Sequence, residues 1–212
     1  HSNKLIILSP FNINKICYNN NGGIMIHYLF KISNFVPNAC FRTVFDIDYN
    51  KLYENGRRII LIDLDNTLIP YDEFDAKPIH IELFKKIKTI GLQVIIISNN
   101  KQNRVKRFAE KVNCDYIYSA LKPLKKGYKK ALKKLKNYDH HEIISIGDQI
   151  MTDVLGSSRV GIPCILVKPI KKKIEKWYTR INRKMETEVL KRLKKHYPET
   201  YEKIKKIEEI NE

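Results

Sequence analysis

The ten residues Arg58–Thr67 constrain this chain more than any other stretch. Ile59-Ile60-Leu61-Ile62 runs straight into Asp63-Leu64-Asp65. An unbroken aliphatic run of that length suits a strand buried on both faces, as in a parallel sheet. Carboxylates where such a strand ends are costly unless they bind a cation or do chemistry. Strand geometry puts residues two apart on the same side, so Asp63 and Asp65 would share one. Neighbouring carboxylates repel, which invites a divalent metal or a shared proton.

Downstream the pattern alternates regularly. Pro78–Ile90 reads as a helix with Ile79, Leu83, Phe84, Ile87 and Ile90 on one face, closed by Gly91. Gln93–Ile97 reads as a second buried strand, Gln102–Val112 as a helix, and Tyr116–Tyr118 as a short third strand. Gly127–Leu135 (helix), Glu142–Ile146 (strand), Ile150–Ser158 (helix) and Cys164–Val167 (strand) complete the series. Strands and helices alternating at these lengths predict an α/β, Rossmann-like, doubly wound parallel sheet.

This core is expected to span residues 57–170. Residues 1–24 read as an extension outside it, with Met25 as the expected native start; peptides from residues 1–24 in the native protein would overturn that. Residues 25–56 read as an N-terminal helical segment that ends a first helix at Pro37 and carries a capped turn from Asp48 to Asn55. Residues 171–212 read as a basic amphipathic tail. Its Ile174, Trp177, Ile181, Met185, Val189, Leu193 and Tyr197 recur at three- and four-residue steps, and a frayed helix is expected beyond Pro198. The tail either packs on the core or on a second protomer, or it lies on an anionic membrane.

Four scattered cysteines, with no C-x-x-C pair, argue against structural zinc and a secreted disulfide framework and fit a cytoplasmic protein. The net charge of +17 rests on 31 lysines against 9 arginines. Lysine and asparagine have A/T-rich codons, so a solvated lysine surface explains much of it. A nucleic-acid or anionic-membrane partner is the sharper alternative.

Each strand ends on a polar residue at one rim of the sheet: Asp63 and Asp65, then Ser98-Asn99-Asn100, then Gly147-Asp148, with Lys122 just past the third strand. Ligands of open parallel sheets bind outside the carboxyl ends of the strands. The set Asp63-Leu64-Asp65-Asn66-Thr67, Ile95-Ile96-Ile97-Ser98, Lys122-Pro123 and Gly147-Asp148 through Asp153 resembles, in order and spacing, the four motifs of the haloacid dehalogenase-like (HAD) phosphatase superfamily. Asp63–Pro70, Ser98–Lys101, Lys122–Leu124 with Gly127, Gly147–Gly156 and Thr179–Arg183 are similar to its subfamily III, in the YqeG-like and phosphatidylglycerophosphate phosphatase branch.

The resemblance implies a Mg²⁺-dependent phosphomonoester hydrolase. Asp63 would be the nucleophile that forms an aspartyl-phosphate, and Asp65 the acid and base. Mg²⁺ would take the Asp63 carboxylate, the main-chain carbonyl of Asp65, and Asp148. Ser98, Asn99 and Lys122 would bind phosphate, Thr67 would hold the turn beside the nucleophile, and Asp153 would orient Lys122 or the metal's waters. Ser98 could also cap the following helix. Adjacent His140 and His141 would point apart rather than share a metal, and Tyr71 and Asp72 would line the entrance or form a surface turn.

Only 32 residues lie between Asp65 and Ser98, and 23 between Ser98 and Lys122, too few for an inserted cap domain. An open, capless site favours a phosphate on something large. By the resemblance this is phosphatidylglycerophosphate, met peripherally at the membrane. The alternatives are a nucleic-acid end, a small phosphorylated metabolite, or an RNA- or ribosome-binding protein with vestigial catalysis, which the intact set of carboxylates opposes.

Overall fold

The computed structural model describes residues 29–171 and 177–209, the side chains of 177–182 excepted. The expectations for residues 1–28, for Ile174, and for the side chains of Trp177 and Ile181 lie outside that range. The described residues from Ile32 onward form one unit, built on six parallel strands: Ala39–Phe41 (β1), Ile59–Ile62 (β2), Gln93–Ile97 (β3), Asp115–Ile117 (β4), Ile143–Gly147 (β5) and Cys164–Val167 (β6). Their order across the sheet is β1-β6-β5-β2-β3-β4. The carboxylate-bearing strand is therefore central, paired with β3 on one side and β5 on the other.

Strand periodicity divides the core between two faces. Ile60 and Ile62 of β2, Val94 and Ile96 of β3, and Ile144 and Ile146 of β5 enter one cluster with Leu83, Phe84, Phe108 and Val112. Ile59, Leu61, Ile95, Ile97 and Ile143 enter the other with Tyr128, Ala131 and Leu135. Each side chain removed from water in this way contributes roughly 1.5–3 kcal/mol. The helices that supply these covers are Pro78–Ile90 (α2) and Gln102–Val112 (α3) on the first face and Lys125–Lys134 (α4) on the second. Pro78 opens α2, and Gly91 closes it at φ 99°, a left-handed conformation that glycine adopts without steric cost.

The segment before β2 holds a 3₁₀ turn, Ile32–Phe35, and the short helix Tyr49–Glu54 (α1), whose N-terminus Asp48 caps by accepting from the Lys51 N–H at 3.1 Å. It also holds a strand where the sequence predicts helical structure. β1 forms the sheet edge in register with β6, Ala39 opposite Ile165 and Phe41 opposite Val167. Asn38 starts that pairing, its N–H on the Cys164 carbonyl and its Oδ1 accepting from the Cys164 N–H. Ser98 does not cap α3; the residue before the helix is Lys101, whose N–H bonds Asn100 Oδ1.

The helix expected over Ile150–Ser158 begins instead as a π turn, Ile150–Val154, and becomes α-helical only at Leu155–Ser158 (α5). Gln149 O accepts from both Asp153 N and Val154 N, the wider turn that sets Asp153 against the end of β5. The tail is helical as expected, Trp177–His196 (α6) followed by Pro198–Glu209 (α7), but the second helix is packed rather than frayed. Pro198 starts α7, as proline can at a first helical position. Glu186, Val189, Leu193, Ile204 and Ile207 are buried, so the two helices fold back on the unit, α7 against β1. None of the described helices is long and apolar enough to cross a membrane.

Candidate active site

Four of the expected residues meet at the carboxyl end of the sheet. Asp63 leaves β2 with its N–H still on the Ile146 carbonyl, which fixes it beside β5. The Lys122 ammonium, buried after β4, lies 2.6 Å from Asp63 Oδ1 and 2.6 Å from Asp153 Oδ1. Asp153 Oδ2 accepts from Gln149 N and from Thr152 Oγ1, both at 3.1 Å. Asp148, one residue beyond β5, accepts from Thr67 Oγ1 at 3.1 Å. Carboxylate oxygens of Asp63, Asp148 and Asp153 all lie within 4.8 Å of one another.

Asp65 faces a different set of donors. Arg104, on α3, donates through Nε to Asp65 Oδ1 at 2.6 Å, and Ser98 Oγ and Asn100 Nδ2 each donate to Oδ2 at 3.2 Å. The two other nitrogens of the guanidinium go to the carbonyls of Glu73 and Pro70, so Arg104 ties the loop after β2 to α3. Ser98 is fully buried and also accepts from Asn100 N. The Asn99 amide brackets the Lys122 backbone, donating to its carbonyl at 3.0 Å and accepting from its N–H at 2.7 Å. His141 Nδ1 lies 3.9 Å from Asp139 Oδ2 on the surface, neither His140 nor His141 belongs to a group of three or more potential metal ligands among the described residues, and Asp72 pairs on the surface with Lys171.

Residues 38–161 match the haloacid dehalogenase-like hydrolase family. The chain is also 38% identical over 161 residues, 76% of its own length and 92% of the relative's, to a protein of Bacillus subtilis strain 168 named "Probable phosphatase YqeG". The chain belongs to the haloacid dehalogenase-like hydrolases. Among solved structures, an uncharacterized protein of Listeria monocytogenes serotype 4b is 21% identical with a TM-score of 0.42, covering 56% of this chain and 85% of that one. The 3-deoxy-D-manno-octulosonate 8-phosphate phosphatase of Moraxella catarrhalis, in complex with magnesium, phosphate and KDO, is 17% identical with a TM-score of 0.39, covering 57% and 83%.

The hydrolase concentrates more negative charge here than its lysine neutralises. Burial pushes the Asp63 carboxyl well above its usual range; Lys122 pulls it down, while Asp153, Asp148 and Asp65 add to the rise. Burial likewise pushes Asp148 up to about 7, against the pull of Arg183. Burial would lower the Lys122 ammonium, but Asp153 and Asp63 outweigh it and hold the group charged. A hard divalent cation suits such an all-oxygen donor set, and Gln149 Oε1, in the same turn, is a buried acceptor with no partner among the described residues. The donors present fit a metal.

That excess charge makes stability depend on pH. The folded value of Asp148 lies above its ordinary value of 3.8, so the folded hydrolase holds a proton that the unfolded chain releases. The stabilising effect of that proton is present at acid pH and fades as pH rises from about 4 through 7. Chelator-treated protein is expected to melt lower at about pH 8 than at about pH 5.5, with added Mg²⁺ raising the melting temperature more at the higher pH. Equal Mg²⁺ shifts at both would show that Asp148 is not a ligand.

Two residues that the sequence reading missed come from the C-terminal helix. Arg183 forms an ion pair with Asp148 Oδ2 through one terminal nitrogen, and donates through the other to the Asp148 carbonyl and to Glu186 Oε2, each at 3.0 Å. Glu186 Oε1 in turn accepts from Met151 N at 3.2 Å. Gly147 supplies the last constraint, because a Cβ there would stand 2.2 Å from Asp153 Cγ. Gly147→Ala is expected to displace Asp153 from Lys122, costing about 1–3 kcal/mol and most of the activity. Thermal melts and steady-state rates check this, and a variant with wild-type kinetics would contradict it.

Proposed function

We propose that the chain is a Mg²⁺-dependent phosphomonoesterase that works through an aspartyl-phosphate on Asp63. The observation that carries this reading is Lys122, buried and 2.6 Å from both Asp63 and Asp153 inside the three-carboxylate cluster. A Asp63 oxygen attacks phosphorus in line, and the bond from phosphorus to the leaving oxygen breaks. Asp65, held in orientation by Arg104, takes up a proton from solvent, gives it to that oxygen, and then takes one from the water that cleaves the aspartyl-phosphate. Lys122 offsets charge on the transferring group. Mg²⁺, held by Asp63, Asp148 and the Asp65 carbonyl, would neutralise the phosphate oxygens.

The substrate we propose is a phospholipid monoester of the phosphatidylglycerophosphate kind. Support comes from the side chains exposed at the rim of the sheet. Leu121, Leu124 and Ile170, on the loops after β4 and β6, are 49%, 39% and 46% exposed, with Lys125, Lys126 and Lys171 exposed beside them in the chain. Apolar side chains among cations suit the surface of an anionic bilayer.

A Mg²⁺-dependent phosphate-release screen over lipid, sugar, nucleotide and oligonucleotide monoesters tests both levels. Release from phosphatidylglycerophosphate in vesicles, well above that from the soluble esters, is expected. Preference for an oligonucleotide end or a metabolite would overturn the substrate, and no release from any ester would overturn the enzyme in favour of a binding role.

A further inference from the structure

We infer that Arg183 is a resident counter-ion for Asp148, which a divalent cation displaces onto Glu186. The inference rests on the metal-dependent reading above and adds a regulator to the same site. Asp148 is enclosed: its side chain has no exposure, Oδ1 is held by Thr67 and Oδ2 by Arg183. A cation that takes an oxygen of Asp148 must share that carboxylate with a guanidinium, and like charges at that range repel. Arg183 has a second anchor in place. Glu186, three residues on and on the same helical face, holds its other terminal nitrogen at 3.0 Å, and the Glu186 side chain is itself 8% exposed. A hollow of about 20 Å³ lined in part by Asp148, Arg183 and Glu186 has room for one water, so a small shift of the guanidinium suffices.

The arrangement gives α6 a function beyond packing. Arg183 offsets the charge of Asp148 until metal arrives, and it sets the metal concentration at which Asp148 changes partner. The opposite view is a plain brace, in which Arg183 and Glu186 only hold the Asp148–Met151 turn in shape.

Calorimetric titration of the full chain with Mg²⁺, without substrate, separates the two. Arg183→Gln is expected to tighten Mg²⁺ binding by about tenfold or more, because the competitor and its charge are gone. Glu186→Gln, which removes the charge of Arg183's second anchor, is expected to weaken binding by a similar factor, and Arg183→Lys to stay near wild type. Weaker or unchanged binding by Arg183→Gln, with circular dichroism showing a folded chain, would overturn the proposal. Wild-type protein supplies a second measurement should that variant not fold. The ¹⁵N resonance of the Arg183 guanidinium, assigned with Arg183→Lys, should move on addition of Mg²⁺, and a resonance that stays in place would overturn the proposal too. Both readouts are independent of turnover, so an inactive preparation leaves them intact.

Discussion

Asp63→Asn is expected to lower phosphate release by about 10⁴–10⁶-fold while the chain still folds. The amide is nearly the same size as the carboxylate but is not a nucleophile. Its charge is not missed by the fold, because Asp63 sits among Asp65, Asp148 and Asp153 with burial against it, and Lys122 keeps Asp153 as a partner. Chelator-treated Asp63→Asn should therefore melt at or above the wild-type temperature. Wild-type protein mixed with substrate and quenched in acid should carry a hydroxylamine-sensitive phosphate that the variant lacks. Turnover retained by the variant would exclude Asp63 as the nucleophile.

Lys122→Met gives the opposite pattern. The ammonium and the carboxylates on either side of it are almost completely enclosed, so removing the cation strands buried negative charge. Loss of one partner of a buried pair costs about 3–5 kcal/mol, far more than a surface ion pair is worth. Urea unfolding should show that loss, and Mg²⁺ should restore part of it by supplying positive charge to the same carboxylates. A double variant with Asp153→Asn should be more stable than the sum of the two single changes, since each removes what the other left unpaired. Additive effects would mean that Lys122 and Asp153 do not act as a pair.

The parts of this fold that were legible in the sequence are those with a local signal. The limits of α2, β3, α3 and β6 fall on the predicted residues, because apolar runs of the right period are bounded there by Pro78, Gly91 and polar clusters. β1 had no such signal: Ala39-Cys40-Phe41 is too short to show alternation, and it is a strand only because β6 lies beside it. The helix beyond Pro198 is expected from the sequence only as a frayed one, because Ile204 with Ile207 is too short a stripe to announce its burial.

The site divides the same way. Asp63, Asp65 and Asp148 stand just past strand ends, where position marks them, and Lys122 and Asp153 lie in the turns that follow β4 and β5. Arg104 and Arg183 are two among 40 basic residues, and each meets its carboxylate 39 or 35 residues away in sequence. One clue was available for Arg104. It lies four residues before Phe108 and next to Val105, on the inward stripe of α3, where a charge needs a partner. Glu186 shares the buried face of α6 with Val189 and Leu193 in the same way.

The partnering of β1 with β6 bears on how the chain is made. Synthesis runs from the amino end, so β2, β3 and β4 can pair as they emerge, and β5 and β6 then add outward from β2. β1, translated before all of them, must wait for the last strand, and α7 covers it later still. Closing so long a loop is slow relative to local pairing. A chain interrupted before Cys164 would carry Ala39–Phe41 as an apolar strand with nothing to pair with, the kind of edge that draws other chains into aggregates. Chaperone demand in this protein should thus peak at the final strand rather than at the first.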